Sequence, residues 1–323
     1  MSNLTTSIQL TKQSTYKLNN GQHIPVAGFG TYLIDASKTS DLVYQALKDG
    51  YRHIDTAMVY GNEKEAAEGI AKFLKDYPDV KREDIWFTTK IFNEYQGYEK
   101  TKEAVEIISK DVKQYIDYVD LILIHSPKTS KDKRLGTYKA LQEFVIDPNN
   151  KVLNVKSIGV SNYGIDHLEE LFAWDGFLIK PVVDQLELHP FLPRLKLREY
   201  LIKHDILAEA YSPITQGKRL KDPELLELSE KYNLSPVEIL LKWAYLQGFI
   251  VLVKTENPKR IKENLNILPD GIKNGDDDEL EEKIHLGKVD LEPEIIEALD
   301  KPESAEVLTW GGKDPTLFKD GDN

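Results

Sequence analysis

Short apolar runs alternate along this chain with longer amphipathic stretches, and this alternation constrains the fold more than any other feature. Eight runs are typical of buried strands, at residues 26–31, 51–56, 85–90, 120–126, 156–161, 181–187, 206–212 and 250–255. Helical patterns cover residues 40–50, 62–76, 98–116, 137–146, 166–174, 196–204, 236–248 and 257–265. Strands that alternate with helices form a parallel sheet, and a sheet of eight is expected to close. We predict an α/β protein, a single (β/α)8 TIM barrel domain over residues 1–323; an open doubly wound sheet is the alternative.

Two other segments stand apart from this alternation. The segment KLNNGQHIPVAG, residues 17–28, is typical of a small hairpin that turns at Asn20-Gly21. The segment from Pro269 to Lys288 is rich in acidic residues, and we interpret it as a solvated connection with no assigned role.

The charge balance and the lack of cysteine limit the possible functions. With 54 acidic and 42 basic residues the formal net charge is −12, which disfavours general attraction to nucleic acid or anionic lipid. The absence of cysteine excludes disulfides, thiolate zinc sites and a cysteine nucleophile. The N-terminus has no apolar signal core, and no run of about 18 apolar residues is present. We expect a cytoplasmic monomer or homodimer with no nucleic-acid or membrane partner.

Polar side chains fall at the ends of the predicted strands. Seven of the eight runs end on or near such a residue: Asp55, Lys90, His125, Ser161, Gln185, Ser212 and Lys254. In a barrel these ends converge on the face that carries the active site. Any one of them fits the ordinary return of polarity before a loop, but seven together favour a shared site.

Asp55 raises the question of a partner, because a buried carboxylate is costly unless a cation pairs with it. Lys90, at the end of the next run, is the expected cation. Tyr60 follows Asp55 closely, and an ammonium nearby stabilises its phenolate, so we expect the pKa of Tyr60 to be lowered towards the range of a general acid. His125 would then orient a substrate oxygen. A structural ion pair and a core histidine are the alternatives.

Six segments resemble the aldo-keto reductases in order and spacing: GYRHIDTAMVYGNE, LILIHSP, IGVSN, DQLELHP, AYSPI and VKTENPKRIKEN, within residues 15–310. The resemblance implies a (β/α)8 barrel with an N-terminal hairpin and a C-terminal tail or loop near the active-site face. It also implies an NADPH cofactor, a small-molecule carbonyl substrate and no metal. The catalytic tetrad falls on Asp55, Tyr60, Lys90 and His125.

The same resemblance assigns the cofactor contacts. It implies hydrogen bonds from Ser161, Asn162 and Gln185 to the nicotinamide carboxamide, and stacking of Tyr211 on its ring. The adenosine-phosphate site falls on Lys254, Thr255, Arg260, Glu263 and Asn264, and the remaining contacts on Gly30, Thr31, Asp55 and Ser212. Two cations at this site favour NADPH over NADH, whereas Glu256 beside them weakens that preference.

Ser126, Tyr32 and Phe92 are the predicted substrate-pocket residues. Several relatives carry a large aromatic where this chain has Ser126, so we expect an open pocket on that side. This feature and the motif His125-Ser126-Pro127 resemble fungal carbonyl reductases that act on α-dicarbonyl compounds, namely keto-amides, keto-lactones and conjugated polyketones. Pentose-type aldose reductases are the competing subgroup.

Three other interpretations of the sequence are weaker or remain alternatives. A metal-dependent barrel hydrolase needs several histidine and carboxylate ligands at its strand ends. Only His125 and Asp55 are expected to lie centrally, because His53 should point to the opposite side of its strand from Ile54 and His189 precedes a proline in a loop. A cofactor-binding redox sensor on the same barrel is compatible with the tetrad. A Rossmann fingerprint at GFGTY, residues 28–32, lacks its third glycine.

Overall fold

The computed structural model describes residues 5–147, 150–271 and 287–322. Outside the barrel lie β1 (Ser7–Gln9), β2 (Thr15–Lys17), β3 (His23–Pro25) and β12 (Lys288–Asp290). The barrel strands are β4 (Ala27–Gly30), β5 (His53–Asp55), β6 (Trp86–Ile91), β7 (Tyr118–Ile124), β8 (Asn154–Ser161), β9 (Val183–Glu187), β10 (Leu207–Tyr211) and β11 (Ile250–Val253). They pair in parallel in chain order, and β11 pairs with β4 to close the barrel. The closed barrel is confirmed, and the open sheet is wrong.

Helices surround the barrel. They are α1 (Ala36–Asp49), α2 (Glu63–Asp76), α3 (Tyr98–Ile116), α4 (Lys131–Ile146), α5 (Ile165–Phe172), α6 (Leu195–Lys203), α7 (Pro223–Tyr232), α8 (Pro236–Leu246), α9 (Pro258–Leu265) and α10 (Pro293–Leu299). All eight predicted helical segments contain a helix, but α7 and α10 were not predicted. The start of α7 has two local signals, since the Asp222 side chain accepts from the Glu224 backbone N–H and Pro223 occupies the first turn.

The N-terminal hairpin closes one end of the barrel. Strands β2 and β3 pair antiparallel around the predicted turn, which confirms the hairpin. Leu18 and Ile24 of this hairpin are buried in one cluster with Trp86 and Ile250, which are the first residues of β6 and β11. The opposite, C-terminal end is therefore the open face. The pairing of β1 with β12 was not predicted.

The two faces of each barrel strand have different neighbours. Ile54 packs in the core between strands and helices, whereas His53 and Asp55 on either side of it face the barrel interior. The expectation that His53 faces away from Ile54 is confirmed. Most of the acidic segment from Pro269 to Lys288 lies outside the described residues. Within the described ranges, no helix is long and apolar enough to cross a membrane.

Candidate active site

Four side chains predicted to be catalytic lie together at the C-terminal end of the barrel. Asp55 is the last residue of β5, Lys90 is near the end of β6, and His125 follows β7 directly. Tyr60 lies in a short 3-10 turn after β5, and its ring is 5.8 Å from the ring of His125. We call these four residues the candidate tetrad.

Lys90 is fully buried and uses its three hydrogens on neighbouring oxygens. Its Nζ donates to both carboxylate oxygens of Asp55, at 2.8 Å each, and to the Thr56 carbonyl at 2.7 Å. The Tyr60 hydroxyl lies farther away, at 3.5 Å from the same nitrogen. The buried carboxylate thus has the cation that its burial requires.

Tyr60 is held in place through the loop that carries it. Asn62, fully buried, donates to the carbonyls of Thr31 and Ile34 at 2.9 Å each. Its side-chain oxygen accepts from the hydroxyls of Thr31 (3.2 Å) and Thr56 (3.1 Å). Because one amide ties the loop after β4 to the loop after β5, the turn of Tyr60 has a fixed position. Sequence reasoning did not single out Asn62.

The expected direction of the Tyr60 pKa was wrong. Burial, and then the negative charge of Asp55, raise the pKa of Tyr60 well above its ordinary value. Lys90 does not reverse this, because its charge is paired with Asp55 and its hydrogen bond to the Tyr60 hydroxyl is long, at 3.5 Å. Tyr60 is therefore a protonated phenol at neutral pH, able to donate its hydrogen.

His125 is a neutral imidazole. Burial, and then the charge of Lys90, lower the pKa of His125 to about 3. Its Nδ1 is buried, whereas Nε2 makes no hydrogen bond to the described residues and is not fully buried, and the residue keeps 8% of its surface exposed. A neutral imidazole with an unused ring nitrogen beside a phenol can position a polar oxygen between them.

The three residues predicted to bind a carboxamide form one network with the tetrad. Gln185 Nε2 donates to Asp55 Oδ2 at 2.9 Å and to Glu209 Oε2 at 2.8 Å. Ser161 Oγ donates to the Gln185 carbonyl (2.8 Å), and Asn162 Nδ2 donates to Ser161 Oγ (3.0 Å). The amide hydrogens of Gln185 are therefore committed within the protein, while its Oε1 receives no hydrogen bond from the described residues.

Lys254 and Arg260 lie at the other end of the predicted cofactor site. Glu256 accepts from Lys254 Nζ at 3.1 Å and from Lys38 Nζ at 3.2 Å, and these bonds lower the pKa of Glu256. Arg260, on α9, is exposed, and within the described residues it makes no hydrogen bond or ion pair. The site thus contains two cations, and one of them is already paired with an acid.

The other predicted cofactor residues differ in how far their side chains are available. Thr31 is buried with its hydroxyl bonded within the protein, and Glu263 pairs with Lys259 at 3.5 Å. Gly30 leaves room, because a Cβ built there would meet nothing closer than 3.8 Å. The rest lie at strand ends or on α9: Thr255 accepts from the Asn257 backbone, Ser212 has a left-handed backbone, and Asn264 is buried.

Tyr32 and Phe92 flank the candidate tetrad as predicted for pocket walls, but Ser126 does not. The Tyr32 ring lies 5.0 Å from that of Tyr60, and the Phe92 ring 5.5 Å from that of His125. Ser126 is fully buried, and its hydroxyl donates to Asn93 Oδ1 at 2.8 Å. A side chain with no exposed surface cannot wall an open pocket, so the reason given for an open pocket at Ser126 does not hold.

Trp310 is the aromatic residue that the sequence reasoning missed. It lies in the C-terminal segment, residues 301–322, and its ring is 6.1 Å from the ring of His125. Its Nε1 donates to the Tyr211 hydroxyl at 3.0 Å, and that hydroxyl donates to Asn162 Oδ1 at 2.7 Å. The predicted C-terminal tail near the active-site face is confirmed. A lone tryptophan before Gly311-Gly312 was the available signal.

Buried polar groups of the barrel hold the C-terminal segment. The Glu187 carboxylate, at the end of β9, accepts hydrogen bonds from the backbone N–H of Leu308 (2.9 Å) and from the Thr309 hydroxyl (2.5 Å). It also lies 3.1 Å from His189 Nε2. Burial raises the pKa of Glu187, but these hydrogen bonds outweigh burial and leave it lowered. Farther along, Asp314 is bonded by both terminal nitrogens of Arg194, at 2.8 and 3.0 Å.

A group of three or more histidine, aspartate and glutamate side chains arranged to hold a metal ion does not occur within the described ranges. The two histidines that a metal site would have used are both bonded within the barrel. His53 lies between Thr88 and the Pro25 carbonyl, and His189 lies beside Glu187.

Comparison with known proteins identifies the family. The sequence model described as the Aldo/keto reductase family matches residues 27–283. The chain belongs to this family. An aldo/keto reductase fold accounts for the closed barrel, the open C-terminal face and the position of the four clustered side chains at that face.

Individual relatives share much of their length with this aldo/keto reductase. An uncharacterized oxidoreductase of Saccharomyces cerevisiae is 38% identical, over 91% of this chain and 96% of the relative. The glyoxal reductase of Bacillus subtilis is 38% identical, over 79% of this chain and 87% of the relative. The crystal structure of a Gox0644 mutant in complex with NADPH is 32% identical with a TM-score of 0.75, and covers 95% of this chain and 99% of that one.

Proposed function

We propose that this aldo/keto reductase reduces carbonyl groups to alcohols with NADPH, and that Tyr60 is the proton donor. The observation that carries the proposal is the arrangement of Tyr60, which lies 3.5 Å from the ammonium of the buried Lys90–Asp55 pair and faces neutral His125. A protonated phenol beside an unused imidazole nitrogen is suited to a substrate oxygen that gains negative charge.

The side chains present fit NADPH. Arg260 is an exposed cation without a partner among the described residues, and together with Lys254 it would hold the 2′-phosphate. The N-terminus of α9 lies in the same segment and also favours an anion. Tyr211 would stack on the nicotinamide, and the free Oε1 of Gln185 would accept from its carboxamide. The NADPH complex of Gox0644 supports this choice. The bound cofactor supplies a hydride to the carbonyl carbon.

Each residue of the candidate tetrad then has one task. His125 orients the carbonyl oxygen, and Tyr60 gives its hydroxyl hydrogen to that oxygen as negative charge develops there. Lys90 places a positive charge beside the tyrosine, which stabilises the phenolate left after proton transfer. Asp55 holds the ammonium in that position. Tyr32, Phe92 and Trp310 exclude water around the reacting oxygen.

For the substrate class we propose α-dicarbonyl compounds, such as keto-amides, keto-lactones and polyketones. The name of the B. subtilis relative supports this, because glyoxal is the smallest α-dicarbonyl. The aromatic walls formed by Tyr32, Phe92 and Trp310 also suit flat, conjugated carbonyls better than a polyhydroxylated chain. A second carbonyl makes the reacting carbon more electrophilic.

A substrate panel tests the proposal. NADPH oxidation is followed optically with glyoxal, a keto-lactone, an α-keto amide and xylose, and the same panel is repeated with NADH. We expect higher kcat/KM for the dicarbonyls than for xylose, and NADPH preferred over NADH. Xylose as the best substrate would favour a pentose reductase. Tight retention of NADPH with negligible turnover of all four compounds would favour a redox sensor.

A further inference from the structure

A cleft beside the candidate site has no role in the reaction proposed above. It has a volume of about 250 Å³ and lies between the loop after β7 and the C-terminal segment. Lys128 lines it from the loop, three residues after His125. The side chains that the C-terminal segment contributes include Lys313, Asp314, Leu317, Phe318 and Asp322. The cleft is therefore bordered by the same two parts of the chain that supply His125 and Trp310.

Trp310 connects this cleft to the reaction centre. Its ring lies 6.1 Å from the ring of His125. The ammonium of Lys128 lies over the same indole, 5.7 Å from the ring centroid. A flat molecule whose carbonyl lies beside His125 can thus extend along Trp310 towards Lys128.

The charge of Lys128 is available to a ligand. Its side chain is half-buried, and its ammonium makes no hydrogen bond or ion pair with a residue that the structure describes. An ammonium has three donors and no acceptor, so the group that complements it is an anion with oxygen acceptors. The contact with the Trp310 ring uses none of these donors in a hydrogen bond.

The other charges of the cleft favour a ligand with a single negative charge. Asp314 is paired with Arg194 at 2.8 Å, so its charge is compensated within the protein. Lys313 adds a second cation to the lining, and the exposed Asp322 adds an anion. The net charge that faces the cleft is therefore small and positive. Such a balance suits a carboxylate better than a doubly charged phosphate.

Apolar side chains next to these charges suit the body of the ligand. Leu317 is 72% exposed, and Phe318 beside it is half-buried. The backbone that carries them is fixed, because the Phe318 carbonyl accepts from His167 Nε2 at 2.8 Å and Asp320 accepts from Arg134 Nη1 at 2.8 Å. An exposed leucine on a fixed backbone offers apolar surface beside the cation.

We propose that Lys128 is a specificity-determining residue that binds a carboxylate at the far end of a flat dicarbonyl substrate. The inference rests on the proposed reductase function and narrows its substrate class to α-dicarbonyl compounds with an acidic group remote from the reacting carbonyl. The carbonyl lies between Tyr60 and His125, the flat body lies along Trp310, and the carboxylate meets the Lys128 ammonium. Lys128 takes no part in hydride or proton transfer, so it acts on substrate binding and not on the chemical step.

Two α-keto amides of equal shape test the proposal. Benzoylformamide with a para-carboxylate carries the charge, and benzoylformamide with a para-carboxamide is its neutral counterpart. In the wild type we expect a lower KM for the carboxylate. Lys128→Met should raise that KM about five- to tenfold relative to the KM of the carboxamide, with kcat unchanged. Lys128→Arg keeps the positive charge and should keep the preference.

Lys156→Met is the matched control. Lys156 is also half-buried, with its ammonium 5.0 Å from the centroid of the Tyr118 ring, but it lies near the start of β8, at the opposite end of the barrel. Neither KM should change. An equal rise of both KM values in Lys128→Met would mean that Lys128 only supports Trp310, and it overturns the proposal. If Lys128→Met does not fold, the preference of the wild type for the carboxylate must still weaken as salt is added.

A second measurement does not depend on turnover. The alcohols that correspond to the two keto amides cannot be reduced by NADPH, so calorimetry in the presence of NADPH measures their binding alone. The alcohol with the carboxylate should bind about five- to tenfold more tightly to the wild type than to Lys128→Met, and the neutral alcohol equally to both. Equal binding of the charged alcohol to the two proteins overturns the proposal. If the wild type reduces no carbonyl, the proposed function fails, and this calorimetric comparison still decides whether Lys128 binds a carboxylate.

Discussion

The candidate site has two sides of different origin. On one side, β5, β6 and β7 end in Asp55, Lys90 and His125, so the positions of these residues follow from strand pairing. On the other side, Trp310 comes from the C-terminal segment, which contains only two short 3-10 turns and is held by side-chain contacts to the barrel. The first side is as rigid as the barrel, whereas the second depends on a few polar contacts. We therefore expect substitutions on the first side to impair the chemical step. Substitutions on the second side should alter the selection of substrates.

The largest effect is expected from Tyr60→Phe, which acts on the strand-derived side alone. The ring remains and only the hydroxyl hydrogen is lost, so we expect kcat to fall by about 100- to 10,000-fold while NADPH binding stays within about twofold. Steady-state kinetics and fluorescence titration with NADPH measure the two quantities.

Tyr16→Phe is the control for this experiment. It removes another buried hydroxyl, which has no partner among the described residues and belongs to the hairpin at the opposite end of the barrel. Its kcat should not change. Near-normal turnover in Tyr60→Phe would remove Tyr60 from the chemistry and leave the buried Lys90–Asp55 pair as a structural feature.

A smaller effect, confined to substrate binding, is expected from Trp310→Ala. Loss of this wall removes apolar contact with the substrate, so KM for a keto-lactone should rise about tenfold, while kcat for glyoxal changes by less than about threefold. Trp310→Phe keeps an aromatic ring and should restore most of the affinity. Equal loss of kcat for both substrates would mean that the C-terminal segment also positions the tetrad.

The two sides also differ in how far the sequence predicted them. The barrel and the tetrad were accessible because strand periodicity places side chains at one end of a parallel sheet, and Asp55 needed a buried cation. The C-terminal segment has no period, so the contacts of Trp310 with His125 and Tyr211 could not be predicted. The orientation of the Ser126 side chain also depends on its hydrogen bond to Asn93, a partner that no local sequence pattern indicates.

Charge compensation was a further limit of sequence reasoning. Lys90 near Tyr60 suggests a lowered pKa for the phenol. The sequence does not show, however, which neighbouring groups the ammonium of Lys90 pairs with. Because the short hydrogen bonds of Lys90 go to Asp55 and Thr56 and its bond to the Tyr60 hydroxyl is long, burial and then the charge of Asp55 dominate and the pKa of Tyr60 rises. A sequence can indicate which charges meet, but the net field at a third group depends on distances that only the folded chain provides.

The smallest effect is expected from acid, and it concerns only the C-terminal segment. The pKa values of Glu187 and Asp314 are lowered in the folded protein by hydrogen bonds that outweigh burial. Such groups stabilise the fold above their ordinary pKa of about 4, and this contribution is lost as pH falls through the lowered values. We therefore expect the segment to separate from the barrel below about pH 4 before the barrel unfolds.

The fluorescence of Trp310, taken as wild type minus Trp310→Phe, reports separation, and far-UV circular dichroism reports the barrel. Glu187→Gln should shift the fluorescence change to higher pH and raise KM for a keto-lactone a few-fold at pH 7, because a neutral amide is a weaker acceptor for Leu308 and Thr309. Coincident fluorescence and dichroism transitions in both proteins would show that the two sides of the site form one cooperative unit.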